Sequence, residues 1–285
     1  MSDKRKQVPK WIAPLLRRHV DYLQETSRIL SLSVMGIRRL QGEYDLERLR
    51  VEVREALSDS DAIEASKSAE SLAETNPPQQ ERLERAKEIA DLATNEANHD
   101  FPILHGHSVV AAWGVLDALV DDLLVEILVN QPGALRAEAF TRVRVYVGTY
   151  EALDGPDKMR FLLDALKQQK ESRYKPGVAG YEELLDVFGL SGPIEENIRR
   201  TLVEMREVRN VLVHNAGVVD RRLLNRCPWV SWEMGSRLSI SQAKYLEYAE
   251  AVDKYLVGLI DRIRAHYGIT RPQAVGEDGS TLSRE

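Results

Sequence analysis

The stretch from Val109 to Val129 constrains the fold more than any other part of the chain. It reads Val-Val-Ala-Ala-Trp-Gly-Val-Leu-Asp-Ala-Leu-Val-Asp-Asp-Leu-Leu-Val-Glu-Ile-Leu-Val. Wound as a helix, it is apolar over most of its surface, so it belongs at the centre of a bundle rather than on a half-wetted face. Pro132-Gly133 ends it. The rest of the chain is also helical in period. Leu15, Val20, Leu23, Leu30 and Val34 mark an N-terminal helix, with a break expected near Gly36. Tyr44 to Leu57 reads as a second helix and Glu81 to His99 as a polar third. Between them Ser58 to Gln80, with Pro77-Pro78, reads as a linker. Asp157 to Lys170 is amphipathic, with Met159, Leu162, Leu163 and Leu166 facing inward, and Tyr181 to Phe188 is a short helix. Ser239-Ile240-Ser241-Gln242 fits a capping box that opens a last helix. Its stripe is Tyr245, Ala249, Val252, Leu256, Leu259 and Ile263. Arg142 to Val147 alternates as a strand does, but its flanks are helical and it has no partner strand, so helix is expected there as well. The expected fold is all-α: a helical bundle over residues 98–268, an N-terminal helical extension over 1–97 with the linker around 58–80, and a disordered tail over 269–285.

Composition narrows the function. The single cysteine, Cys227, rules out an intramolecular disulfide, which suits a reducing, cytoplasmic compartment. The apolar run Trp11 to Leu16 is too short for a signal-peptide core. No run approaches the roughly 18 apolar residues of a membrane span, so no membrane partner is expected. The net charge is −6, so contact with RNA would need a local basic patch on an acidic body.

Such a patch is legible in one helix. Pro193 suits its first position, with Glu195 and Glu196 in the first turn, and Gly217 suits its C-terminal cap. Ile194, Ile198, Leu202, Met205 and Leu212 share one face. Counted from Ile194 at about 100° per residue, Arg199, Arg206, Asn210 and His214 fall at roughly 120° to 200°, with Val203 among them. Arg209 falls at about 60°, at the edge of the apolar stripe, from which a long side chain can reach around. Arg, Asn and His near a helix C-terminus are also ordinary, because a cation there gains from the helix dipole.

The segment Arg209-Asn210-Val211-Leu212-Val213-His214 resembles the Arg-x4-His signature of the HEPN family, helical domains many of which are metal-independent RNases. The resemblance extends over roughly residues 100 to 266. A long apolar helix carrying Trp113, Asp117, Asp121 and Asp122 comes first. Leu-x3-Arg-x2-Arg-Asn-x3-His follows from Leu202 to His214, then the Gly217 to Asp220 step and a closing amphipathic helix. It implies a homodimer in which two motif helices meet across a two-fold axis, with Val203, Arg206, Asn210 and His214 at or near the contact. It implies RNA as substrate, Arg209, Asn210 and His214 as catalytic residues, no metal and no cofactor. Arg206 and Arg199 are the RNA-binding candidates. A toxin or defence role, with an antitoxin or defence-system partner, follows from the habits of the family. The alternative is a catalytically silent HEPN module for protein interaction or nucleotide binding.

Other candidates are weaker. His105-Gly106-His107 is spaced two apart, which does not place both rings on one helix face, and lacks a nearby third ligand. Asp117 and Asp121 share a face that reads as a solvated acidic stripe, although Asp117 can instead pair with an arginine of the motif helix. Trp229 and Trp232 can stack on bases or, more commonly, pack a loop onto the core.

Overall fold

The computed structural model describes residues 9–60, 79–172 and 175–268. Within them lie eleven α-helices: α1 (Ile12–Leu40), α2 (Glu43–Ser60), α3 (Gln79–Asn98), α4 (Pro102–Asn130), α5 (Glu138–Thr141), α6 (Val147–Glu151), α7 (Gly155–Gln169), α8 (Ala179–Asp186), α9 (Glu196–His214), α10 (Arg221–Arg226) and α11 (Gln242–Tyr267). A short 3-10 turn, Pro132–Arg136, follows α4. The fold is all-α. Among the described residues the one β-type pairing is an isolated antiparallel bridge between Val218 and Arg237. Most of the expected linker and all of the expected tail lie outside the described residues.

The chain forms two compact units. The first takes residues 9–25, Val109–Leu238 and 246–268. Its centre is α4, where Leu116, Leu119, Val120, Leu123 and Leu124 have no exposure at all. Buried positions cover most of the helix, as its largely apolar sequence requires, and Gly114 and Ala118 mark the strip left exposed. From α9 the core receives Ile198, Leu202, Met205, Val208 and Val211. From α11 it receives Val252, Leu256, Leu259 and Ile263, together with Tyr248, Ala251 and Tyr255. The two tyrosines widen the expected stripe because their hydroxyls find buried carboxylates: Tyr248 donates to Glu204 at 2.7 Å and Tyr255 to Glu182 at 2.8 Å.

The second unit takes residues 26–60, 79–108 and 239–245. Here α2 lies against α3, with Val51, Ala86, Ala90 and Ala93 buried. The turn into α4 holds Asp100 and Phe101 at φ 62 and 54. The Asp100 carboxylate repays that conformation by accepting the Gln242 backbone N–H at 2.5 Å. His105 is buried, stacks on Tyr245 and bonds through Nδ1 to the Ile240 carbonyl at 3.1 Å. His107 is exposed.

Four local expectations are corrected. First, α1 passes through Gly36 without a break. Second, Arg142 to Tyr146 is neither strand nor helix: α5 stops at Thr141, residues 143–146 connect it to α6, which Val147 opens, and Tyr146 and Val147 stand exposed. The β-branched valines at alternate positions there favour extended backbone. Third, α9 starts at Glu196, not at Pro193, because Ser191 to Glu195 is a connection in which Gly192 N–H donates to Glu182 at 2.9 Å. Fourth, Val208 and Val211 complete the buried stripe of α9, and Leu212 is only half-buried.

Candidate active site

The motif lies at the C-terminal end of α9, where the helix ends at His214. Asn215 occupies the cap position, Ala216 and Gly217 take φ 50 and 77, and the Gly217 N–H returns to the Val211 carbonyl at 3.0 Å. Gly217 thus lies two residues past the cap, where its left-handed φ costs little. The turn exposes His214.

Arg209, Asn210 and His214 converge. Arg209 Nη1 donates toward Asn210 Oδ1 at 3.4 Å and toward His214 Nε2 at 3.3 Å. Both contacts are long, so the guanidinium is held loosely and its planar fork remains available to a stronger acceptor. The contact with His214 is a hydrogen bond only when Nε2 accepts, that is, in the neutral ring with its proton on Nδ1. Arg209 Nε is buried and has no hydrogen-bond partner among the described residues.

The helix presents Arg209 and Asn210, but not His214, to a cavity of about 390 Å³ in the first unit. Arg206, Arg209 and Asn210 line it from α9, Asp117 and Asp121 from α4, and Asp164 and Lys167 from α7. Trp113 and Tyr181 add stacked rings with centroids 5.9 Å apart. Gly177 and Gly180 bring the α7–α8 connection and the start of α8 close against their neighbours. A Cβ at Gly180 would overlap the Ser172 carbonyl, and one at Gly177, where φ is +52, would strike Val203. The Gly177 carbonyl in turn accepts from Arg206 Nη1 at 3.4 Å.

Charges alternate around the cavity. Tyr181 donates its hydroxyl to Asp117, and burial with that carboxylate holds its proton far more tightly than in water. Lys167 bonds Asp121 at 2.6 Å and reaches Asp164 at 3.4 Å. Burial raises the Asp121 carboxyl above its ordinary value, and Lys167 only partly offsets this. Burial also lowers the Arg206 guanidinium, against the opposing pull of Tyr181, Glu207 and Asp117.

The motif helix therefore brings Arg206, Arg209 and Asn210 to one cavity, while His214 lies exposed outside its lining and is joined to it through Arg209. Arg199 is not among them: it is exposed, and its Nε donates to Glu196 one turn away at 2.9 Å. The supposed acidic stripe divides in two. Asp117 and Asp121 face the cavity half-buried, and Asp117 pairs with Tyr181 rather than with an arginine of α9. Asp122 instead gathers Arg18 at 2.7 Å, Arg160 at 3.1 Å and His19 at 3.4 Å. Trp229 packs a loop, donating to Glu204 at 2.6 Å beneath the Arg200 guanidinium. Sequence reasoning missed Tyr181, Lys167 and Asp164, which share no motif with α9. The Gly177–Gly180 spacing before Tyr181 was the one available signal of a close approach. No protein-family model, curated protein or solved structure matches the chain.

Proposed function

We propose that this protein is a metal-independent endoribonuclease of the HEPN type, which cleaves RNA by attack of the 2′-oxygen on the adjacent phosphorus. The observation that carries the reading is the convergence of Arg209 on His214 Nε2 at 3.3 Å and on Asn210 Oδ1 at 3.4 Å. It joins a proton carrier, an anion-binding fork and an orienting amide within one helical turn and a half.

In this reaction one imidazole takes the proton from the 2′-hydroxyl as the 2′-oxygen bonds to phosphorus. The P–O5′ bond breaks, its electron pair passes to the 5′-oxygen, and a second, protonated imidazole delivers the proton that completes the 5′-hydroxyl. The other product is a 2′,3′-cyclic phosphate. Arg209 stabilises the charge that accumulates on the equatorial oxygens in between. One chain supplies one His214, so the second imidazole is that of another copy, placed by a two-fold contact at the end of α9. The physiological setting consistent with the family resemblance is a toxin or defence effector restrained by an antitoxin or defence-system partner.

A catalytically silent helical module that binds a protein or nucleotide is the second reading. It is favoured by the net charge of −6 and by carboxylates that balance the cations inside the cavity. Incubation of the purified protein with a panel of single-stranded RNAs in EDTA separates the two. The enzyme reading expects cleavage to 2′,3′-cyclic phosphate and 5′-hydroxyl ends, and no cleavage where the nucleotide 5′ to the break is deoxy. An intact panel selects the silent module, and activity that EDTA abolishes and a divalent ion restores overturns the mechanism.

A further inference from the structure

The cavity is richer than a phosphate grip requires. Lys167, Arg206 and Arg209 face Asp117, Asp121 and Asp164, three cations against three carboxylates. A site for phosphate alone would be depleted of carboxylates, and a site for a lone cation would be depleted of arginine. The occupant must offer acceptors to one wall and donors to the other. Its size agrees with a single small ligand, since about 390 Å³ lies at the lower end of the roughly 300–1,000 Å³ usual for such sites.

The donors it must supply are specified by α4. Asp117 and Asp121 stand one turn apart on the same face. Asp117 receives the Tyr181 hydroxyl on Oδ1, and Asp121 receives Lys167 on Oδ2. Among the described residues no side-chain donor reaches the other oxygen of either group. Burial raises the Asp121 carboxyl and Lys167 offsets this only in part, so a further donor brought by a ligand would favour its charged form. Arg209 Nε, buried and unpaired, lacks an acceptor.

We infer that this cavity is a nucleobase pocket selective for guanine, which seats the nucleotide next to the phosphate held by Arg209. The inference rests on the ribonuclease reading for its orientation, not for its chemistry. Guanine alone among the four RNA bases presents two adjacent donors, N1–H and the 2-amino group, on its Watson–Crick edge, as single-stranded recognition requires. Adenine and cytosine place a ring acceptor there, and uracil places a single N–H between two carbonyls, so each brings lone pairs against the carboxylates. Guanine O6, at the end of the same edge, is an acceptor suited to the ammonium of Lys167, already beside Asp121 at 2.6 Å. The Trp113 and Tyr181 rings supply the apolar lining.

The test is calorimetric titration of the full chain with guanosine, inosine, adenosine and uridine 3′-monophosphates. The guanosine compound should bind tightest. The inosine compound, which lacks only the 2-amino group, should bind about tenfold more weakly, as the loss of one hydrogen bond to a charged acceptor implies. With O6 at Lys167, N1–H falls to Asp121 and the 2-amino group to Asp117, so Asp117→Asn, which replaces an acceptor oxygen by an amide donor at nearly constant volume, should erase the preference for guanosine over inosine, and Asp121→Asn should weaken both compounds, with the thermal transition retained as the check on folding. Equal affinity for all four compounds overturns the inference, as does a preference that survives both Asp121→Asn and Asp117→Asn. Tight binding of lysine or arginine amides in place of nucleotides also overturns it, and would assign the pocket to a basic protein side chain. Guanine-selective binding without RNA cleavage would sink the ribonuclease reading alone, whereas cleavage with no preference for guanosine would sink the pocket alone.

Discussion

Arg209 is the side chain that joins Asn210 and His214, and its geometry sets what substitutions should do to the proposed reaction. Its fork touches Asn210 and His214 through one nitrogen and leaves Nε buried without a partner among the described residues. Arg209→Ala should therefore depress kcat, and Arg209→Lys should restore little, because an ammonium cannot grip two phosphate oxygens in a plane. Single-turnover cleavage rates of the two variants are the check, and a lysine variant near wild type would show that point charge alone suffices. Asp121 offers a pH-dependent counterpart. Burial raises its carboxyl, so the folded chain keeps that proton to higher pH than the unfolded chain does. Stability attributable to this group is then greatest in acid and is lost as pH rises from the ordinary Asp value, about 4, through the raised folded value. Asp121→Asn removes the cost of ionisation. Urea midpoints should show it stabilised relative to wild type at neutral pH, with the advantage shrinking as pH falls through about 4. An effect independent of pH would assign the change to packing instead.

At the scale of elements, α9 shows what a sequence reveals and what it hides. Its Arg-x4-His end was legible because the spacing fixes which side chains share a turn. The fate of Glu204 and Glu207 was not. In the sequence they belong to the polar part of an amphipathic helix; in the fold they are 3% and 1% exposed. Their donors come from distant positions: Trp229 and Tyr248 for Glu204, and Arg222 and Arg226 for Glu207. No helical period encodes such partners. The same holds for Glu182, gathered by Tyr255, Arg262 and the Gly192 N–H. The long apolar helix α4 was legible for the opposite reason, since a segment apolar on every side has one place to go. Its acidic residues were misread because the groups that donate to them are cations on α7 and α1 and a tyrosine hydroxyl on α8. Buried carboxylates make a prediction of their own. Tyr248→Phe takes a donor from Glu204 at a site with no exposure of the tyrosine, and should cost about 1–3 kcal/mol in chemical denaturation. A loss below about 0.5 kcal/mol would mean that the hydrogen bond adds nothing net.

For the whole molecule, the proposed chemistry calls for a second imidazole beside the first, and the motif helix of one chain carries a single histidine, His214. Arg206 and Asn210 line the cavity of their own chain, so on the proposed mechanism the exposed Val213 and His214 at the end of α9 are the surface through which two copies would meet. Sedimentation equilibrium should find a dimer, and Val213→Glu should shift it toward monomer by setting two carboxylates against each other across the axis. A strictly monomeric wild-type protein that still cleaves RNA would require another acid within the chain. The most direct test of the central claim compares wild type with His214→Ala on single-stranded RNA in EDTA, with both proteins shown to be folded and equally associated. The account predicts cleavage by wild type and a loss of about 10²–10⁴-fold in the variant, the usual contribution of a positioned proton carrier. A His214→Ala protein that cuts as fast as wild type would contradict it.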